Sequence, residues 1–148
     1  VTEKRLLRAG IALERVELRG FSAGYLEEYR DMDIALDTYP YTGGLTTCEA
    51  LYMGVPVISL YGTRHGTRFG LSLLTNAGLG ELAAASWKDY IDRAVGLAAD
   101  TELLSLLHRE LRNMLRSSHL MNERQYVQEI EMAWEQIYCQ AAERGIKK

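Results

Sequence analysis

The chain has 148 residues, of which 47% are hydrophobic and 25% charged, and its formal net charge is -3. This length and composition fit one globular domain that buries a core. The mild acidity and the absence of a Lys/Arg run argue against a nucleic-acid partner. No apolar stretch approaches the ~20 residues that cross a bilayer, so we expect no membrane partner. Cys48 and Cys139 have no metal-ligand spacing, which favours no metal site and a reducing, cytoplasmic location.

The first half of the chain alternates short apolar runs with helical segments. Apolar runs typical of buried strands lie at residues 16–18, 34–36 and 57–60. Helical patterns lie at residues 1–12, 25–29, 46–53 and 68–76. Gly54 and Pro56 are expected to end the third of these helices. Strands that alternate with helices predict an α/β fold, a Rossmann-like parallel sheet flanked by helices.

From residue 86 onward the pattern is helical throughout, and we expect residues 86–148 to be a helical C-terminal segment of the same single domain, 1–148. Three helices are predicted, at about residues 86–98, 101–116 and 122–142, with Ser86 and Asp89 capping the first. Their apolar stripes favour core packing over a cofactor site. The stripe of the last helix is formed by Tyr126, Ile130, Ala133, Trp134, Ile137 and Ala141. It is wider than one small sheet covers, so part of it is expected to be exposed or to contact another copy of the chain.

A Gly-rich turn follows the apolar run at 34–36 and leads into the helix at 46–53. Gly43 and Gly44 allow the backbone to approach a ligand closely. The unpaired N–H groups at the start of a helix favour negative charge. The turn and helix together therefore predict a site for a phosphate or a diphosphate.

The first turn of that helix carries three polar side chains, Thr46, Thr47 and Glu49. The threonine hydroxyls can donate to a phosphate, and Glu49 can accept from a sugar hydroxyl. An alternative interpretation is structural: Thr46 and Glu49 have the spacing of a capping box, which satisfies the helix's own terminus.

A second Gly-rich loop, residues 62–70, follows the run at 57–60. Ligands of open parallel sheets bind beyond the carboxyl ends of the strands, so two such loops are expected to share one crevice. Arg64, His65 and Arg68 can neutralise an anion there, and the alternative is that these three side chains are simply solvated.

Residues 33–41, 46–56 and 72–74, read together, closely resemble the donor-binding half of the O-linked N-acetylglucosamine transferase and Spindly family, which is glycosyltransferase family 41. The resemblance continues through residues 78–82 and covers nearly the whole chain. It implies the C-terminal half of a two-lobe GT-B enzyme. It also implies transfer of a sugar from a nucleotide diphosphate to protein Ser/Thr hydroxyls, with inversion and with no essential metal or cofactor.

The resemblance also assigns site residues by position. Thr46 and Thr47 would bind the diphosphate, Glu49 would hold the ribose, and Tyr25 would stack on the nucleobase. It assigns no catalytic residue to this chain. Leu45 stands where the N-acetylglucosamine enzymes have a His, which leaves one diphosphate contact open.

Residues 48–56 are closer to the Spindly branch, whose plant members use GDP-fucose. The donor is therefore UDP-GlcNAc or, alternatively, GDP-fucose, and a non-catalytic nucleotide-sugar sensor or scaffold is the third possibility. The family's tetratricopeptide repeats, its acceptor-side lobe and its diphosphate-binding Lys are expected upstream of Val1. We therefore expect a portion of a larger enzyme that binds its protein acceptor through other domains and that is inactive in isolation.

Overall fold

The computed structural model describes residues 2–143. Within them, three parallel strands form a small sheet in the order β1-β2-β3. The strands are β1 (Ala35–Leu36), β2 (Val57–Leu60) and β3 (Ala83–Ala84). All four residues of β2 are buried, as expected for a central strand with both faces covered.

Seven α-helices are present in the described part of the chain. They are α1 (Thr2–Arg8), α2 (Tyr25–Glu28), α3 (Leu45–Tyr52), α4 (Phe69–Asn76), α5 (Trp87–Ala99), α6 (Thr101–Ser117) and α7 (Glu123–Glu143). Helix α3 connects β1 to β2 and α4 connects β2 to β3, which is the crossover that parallel neighbours require. The α/β prediction is confirmed, and most predicted helix bounds agree with the observed ones within two residues.

The core lies between the sheet and the helices α3 to α6. Leu51, Ile58, Leu74 and Leu111 are almost completely buried in it. Burying a side chain of this size stabilises the fold by about 1.5–3 kcal/mol. The stripe predicted on α6 is confirmed, because its buried residues are Leu107, Leu111 and Leu115.

Helix α3 ends against α6, and the contact explains two residues at its C-terminus. Gly54 has φ +88°, and an added Cβ would lie 2.9 Å from the carbonyl oxygen of His108. Arg112 donates from Nε to the carbonyl oxygen of Tyr52 at 2.7 Å and lies over the Tyr52 ring. A cation at this position satisfies a terminal carbonyl of α3 and complements its dipole.

Two of the strand predictions need correction. Residues 16–18 are not a strand: Val16 has extended dihedrals, φ -127° and ψ 122°, but no strand within residues 2–143 pairs with it. An extended segment becomes a strand only when a neighbour accepts its hydrogen bonds. Strand β3 was not predicted, because Ala83 and Ala84 provide no bulky apolar run.

Helix α7 also departs from expectation, because none of its described residues is buried. The core-packing interpretation of its stripe is wrong, whereas the expectation of partial exposure is confirmed: Trp134 is 68% and Ile137 63% exposed. On α5 the apolar stripe, for which core packing was predicted, is only partly buried: Leu97 is buried, whereas Trp87 and Ile91 are exposed. No helix within residues 2–143 is both long and apolar enough to cross a membrane.

We predict that the chain of residues 1–148 self-associates through the aromatic face of α7, because large contiguous apolar patches favour association. Trp134→Glu should raise the monomer fraction in analytical ultracentrifugation. Gln136→Glu adds the same charge at an exposed position of the same helix and should leave that fraction unchanged. A wild-type chain that stays monomeric at every concentration tested would contradict the prediction.

Candidate functional site

A cleft of about 460 Å³ lies along β1, from the residues that precede the strand to the turn that follows it. Its polar lining combines residues from the end of the strand, the Gly-rich turn and the start of α3: Asp37, Thr38, Gly43, Thr46 and Thr47. Apolar side chains, among them Tyr29, Met32 and Ile34, complete it. The polar part of the lining follows the carboxyl end of β1, which is the edge of a parallel sheet at which ligands bind.

Helix α3 begins at Leu45 with Gly44 as its N-cap, and no side chain caps it. The predicted capping box is therefore absent. Glu49 instead accepts a hydrogen bond from the Tyr25 hydroxyl, 2.6 Å from its Oε1. The first N–H groups of α3 keep their capacity to donate, and the helix dipole adds positive potential at the same place. The capping-box interpretation is therefore wrong, and anion binding at this helix start stays a prediction.

Position 43 must be a glycine, because two threonine hydroxyls of the first turn of α3 occupy the space that a side chain would need. A Cβ at position 43 would lie 2.6 Å from Thr47 Oγ1 and 2.8 Å from Thr46 Oγ1. Both hydroxyls are therefore turned back over the Gly-rich turn, where they line the cleft. Thr47 is only 3% exposed, so its rotamer is fixed by packing. Backbone donors and hydroxyl donors converge on one short stretch of the cleft.

Asp37 is a polar residue of the cleft that the sequence did not identify as functional. Its Oδ1 accepts from the backbone N–H of Gly43 at 2.7 Å and of Thr38 at 2.8 Å. Its Oδ2 accepts from the Ser59 hydroxyl at 2.6 Å. Its backbone oxygen accepts from the Tyr90 hydroxyl of α5 at 2.9 Å. One residue thus connects β1, the turn, β2 and α5.

The two Gly-rich loops contact each other at this edge, but none of residues 62–70 lines the cleft, so the shared crevice stays a prediction. Thr42 is fully buried, and its backbone N–H donates to the carbonyl oxygen of Gly66 at 3.4 Å. The Thr42 hydroxyl accepts from the N–H of Gly70 at 3.5 Å. Gly70 has no room for a side chain, because a Cβ would overlap the Ser59 hydroxyl. The start of α4 is therefore held against the first loop and β2.

Three predicted cationic residues lie on the second loop but do not line the cleft. Arg64, His65 and Arg68 are all exposed. The Arg68 guanidinium donates to the Gly62 carbonyl oxygen at 3.4 Å, and the His65 ring packs edge-on against Phe69 with the ring centres 5.1 Å apart. Their anion-binding role stays a prediction.

The residues predicted for the ribose and the nucleobase are brought together. The hydrogen bond from Tyr25 to Glu49 raises the pKa of the Tyr25 phenol, so the hydroxyl stays protonated as a donor at neutral pH. Tyr25 is the first residue of α2. It is 44% exposed, so part of its ring is accessible to solvent. Burial raises the pKa of the thiol of Cys48, the residue before Glu49, which argues against a nucleophilic role for it.

The contacts around Gly43 predict that Gly43→Ala disturbs the turn. The new methyl group would displace both threonine hydroxyls, and overpacking of this kind costs about 1–3 kcal/mol in free energy of unfolding. Gly66→Ala is the matched control, because nothing lies within 4 Å of a Cβ there. Urea denaturation of both variants tests the geometry, and equal stability would show that position 43 tolerates a side chain.

Several known proteins are similar to this chain. A protein of Arabidopsis thaliana described as probable UDP-N-acetylglucosamine–peptide N-acetylglucosaminyltransferase SPINDLY is 36% identical over 97% of this chain and 16% of its own length. Its namesake in Eustoma exaltatum subsp. russellianum is 42% identical over 78% of this chain and 13% of its own length. The Arabidopsis protein described with the same activity under the name SEC is 32% identical over 69% of this chain and 10% of its own length. The chain thus spans a small part of these relatives, and the higher identity to SPINDLY agrees with the pattern at 48–56.

The fold is also shared with a solved structure. A variant of the Thermobaculum terrenum O-GlcNAc transferase superposes with a TM-score of 0.86 at 40% identity, over 97% of this chain and 29% of that one. The match confirms the predicted Rossmann-like fold of a GT-B glycosyltransferase. Residues 9–130 match the family described as Glycosyl transferase family 41. This match and the similarity to the SPINDLY proteins show that the chain belongs to glycosyltransferase family 41.

Proposed function

We propose that this chain forms the donor-binding portion of a glycosyltransferase that transfers N-acetylglucosamine from UDP-GlcNAc to Ser/Thr hydroxyls of proteins. The observation that carries the proposal is the start of α3, which has no side-chain cap and places Thr46 and Thr47 in the cleft. The names of the SPINDLY and SEC relatives favour UDP-GlcNAc over GDP-fucose as donor.

The chemistry of sugar transfer explains why such a helix start is useful. As the bond to the anomeric carbon breaks, negative charge develops on the leaving diphosphate. The first N–H groups of α3 and the hydroxyls of Thr46 and Thr47, which lie beside Gly43, are preorganised hydrogen-bond donors to that charge. In this proposal they act without a metal ion, and Arg64, His65 and Arg68 on the adjoining loop add positive potential.

The nucleoside is assigned to Tyr25 and Glu49. The accessible ring of Tyr25 can stack on the base. The Tyr25 hydroxyl occupies Glu49 Oε1, which leaves Oε2 as an acceptor for a ribose hydroxyl. The hydrogen bond orients the carboxylate before the donor arrives, so less side-chain entropy is lost on binding.

The acceptor and the catalytic base are assigned to parts of the enzyme outside this chain. The curated relatives are several times longer, since the chain spans 16% of the Arabidopsis SPINDLY protein. We place the protein acceptor on those parts, including the proposed tetratricopeptide repeats, and we propose a cytoplasmic enzyme. Residues 1–148 alone cannot surround the donor or exclude water, so they are expected to be inactive.

Thr47→Ala tests the diphosphate assignment. A hydrogen bond to a charged group contributes ~1.5–3 kcal/mol, so the variant should bind UDP roughly tenfold to a hundredfold more weakly in isothermal titration of the full-length protein. Cys48→Ser is the adjacent control and should change the affinity little.

Two other results would count against the proposal. Unchanged UDP affinity of Thr47→Ala would remove Thr47 from the site. If GDP, and not UDP, raises the melting temperature of the wild-type protein, the donor is a GDP sugar and not UDP-GlcNAc.

A further inference from the structure

We infer that Asp37 is a positioning residue of the diphosphate site: its carboxylate holds the Gly43 turn, and through it the start of α3, in the shape that receives the phosphates. This inference rests on the proposed function. It assigns Asp37 no direct contact with the donor and no step of the reaction.

The carboxylate closes the turn at both ends. Its Oδ1 accepts from the N–H of Thr38, where the turn begins, and from the N–H of Gly43, where the turn meets α3. The distances of 2.8 and 2.7 Å are those of charge-assisted hydrogen bonds. Because one oxygen binds both ends, the turn cannot open without breaking a bond to the carboxylate.

The other carboxylate oxygen fixes the turn to the centre of the sheet. Its donor, the Ser59 hydroxyl, belongs to the buried middle strand β2 and is fully enclosed. Gly70 packs against the same pair, because an added Cβ would lie 2.8 Å from Asp37 Oδ2. The Asp37 carboxylate therefore links Gly43 to the buried central strand of the sheet.

A displacement of Gly43 would reach the proposed phosphate donors directly. Gly43 lies close to both the Thr46 and Thr47 hydroxyls, and Gly44, the N-cap of α3, follows it in the chain. The hydroxyls and the first N–H groups of α3 move with the turn. Loss of the Asp37 carboxylate should thus weaken binding of the diphosphate and leave binding of the nucleoside, at Tyr25 and Glu49, unaffected.

The role of the Asp37 charge can be tested separately from the role of its hydrogen bonds. A carboxylate in a cleft that receives a diphosphate would repel it, so electrostatics alone gives no reason for an acid here. In Asp37→Asn the amide oxygen can accept from Thr38 and Gly43, and the amide NH2 can donate to the Ser59 hydroxyl, which also accepts. The geometry is preserved and the charge is removed.

The test compares affinities for UDP and for uridine, which has no phosphates, in the full-length protein. Asp37→Ala should lower the UDP-to-uridine affinity ratio by about tenfold or more, since several hydrogen bonds that hold the donors are lost. Asp37→Asn should restore the ratio to within about threefold of wild type. Ser59→Ala removes only the anchor to β2 and should lower the ratio by an intermediate factor.

The outcomes separate this inference from the proposed function. A ratio in Asp37→Ala equal to that of wild type, or an equal loss of UDP and uridine affinity, would show that Asp37 only stabilises the fold and would overturn the inference. If Asp37→Ala does not fold, an unchanged ratio in Ser59→Ala overturns it. A wild-type protein that binds UDP no better than uridine would overturn the proposed function itself, and the inference with it.

Discussion

The hydrogen bonds of the Asp37 carboxylate are the interaction on which the geometry of this site depends. One oxygen binds the two ends of the Gly-rich turn, and the other binds Ser59 on the central strand. The hydroxyl of Tyr90 adds a contact from α5 to the backbone of the same residue. Burial, with a contribution from the Asp37 charge, raises the pKa of Tyr90, so this hydroxyl remains a donor at neutral pH. The site is held by residues far apart in the chain and not by the turn alone.

The parallel sheet explains why a small unit can form such a site. Parallel neighbours place the carboxyl ends of β1 and β2 at one edge, so the loops that follow them meet. Thr42 joins those loops through Gly66 and Gly70. The first turn of α3 then faces the cleft while its other end is fixed by Arg112 of α6. Core packing and site geometry use the same helix.

The features that sequence could predict are those that depend on local pattern. The buried run of β2, the glycine stop at position 54 and the cap of α5 by Ser86 all follow from neighbouring residues, and the structure contains each of them. The Gly-rich turn and the helix start that follows it were likewise predicted from local features, and the structure contains both, whereas anion binding there stays a prediction.

The features that sequence missed depend on distant partners. Thr46 and Glu49 have the spacing of a capping box, but the Glu49 carboxylate instead accepts a hydrogen bond from the Tyr25 hydroxyl, and α3 has no side-chain cap. Asp37 finds its donor Ser59 on another strand, and no pattern along the chain specifies that pairing. The apolar stripe of α7 identifies a face that can pack against another surface, but the stripe does not specify which surface that is, and within the described residues none of its side chains is buried.

The most direct measurement of the central claim is a crystal structure of the full-length protein with UDP bound. The account predicts the diphosphate in the cleft beyond β1, accepting hydrogen bonds from the N–H groups of α3 and from the Thr46 and Thr47 hydroxyls, with the uracil beside Tyr25. A diphosphate bound elsewhere, for example in the cavity lined by His119 and Gln125, would contradict it.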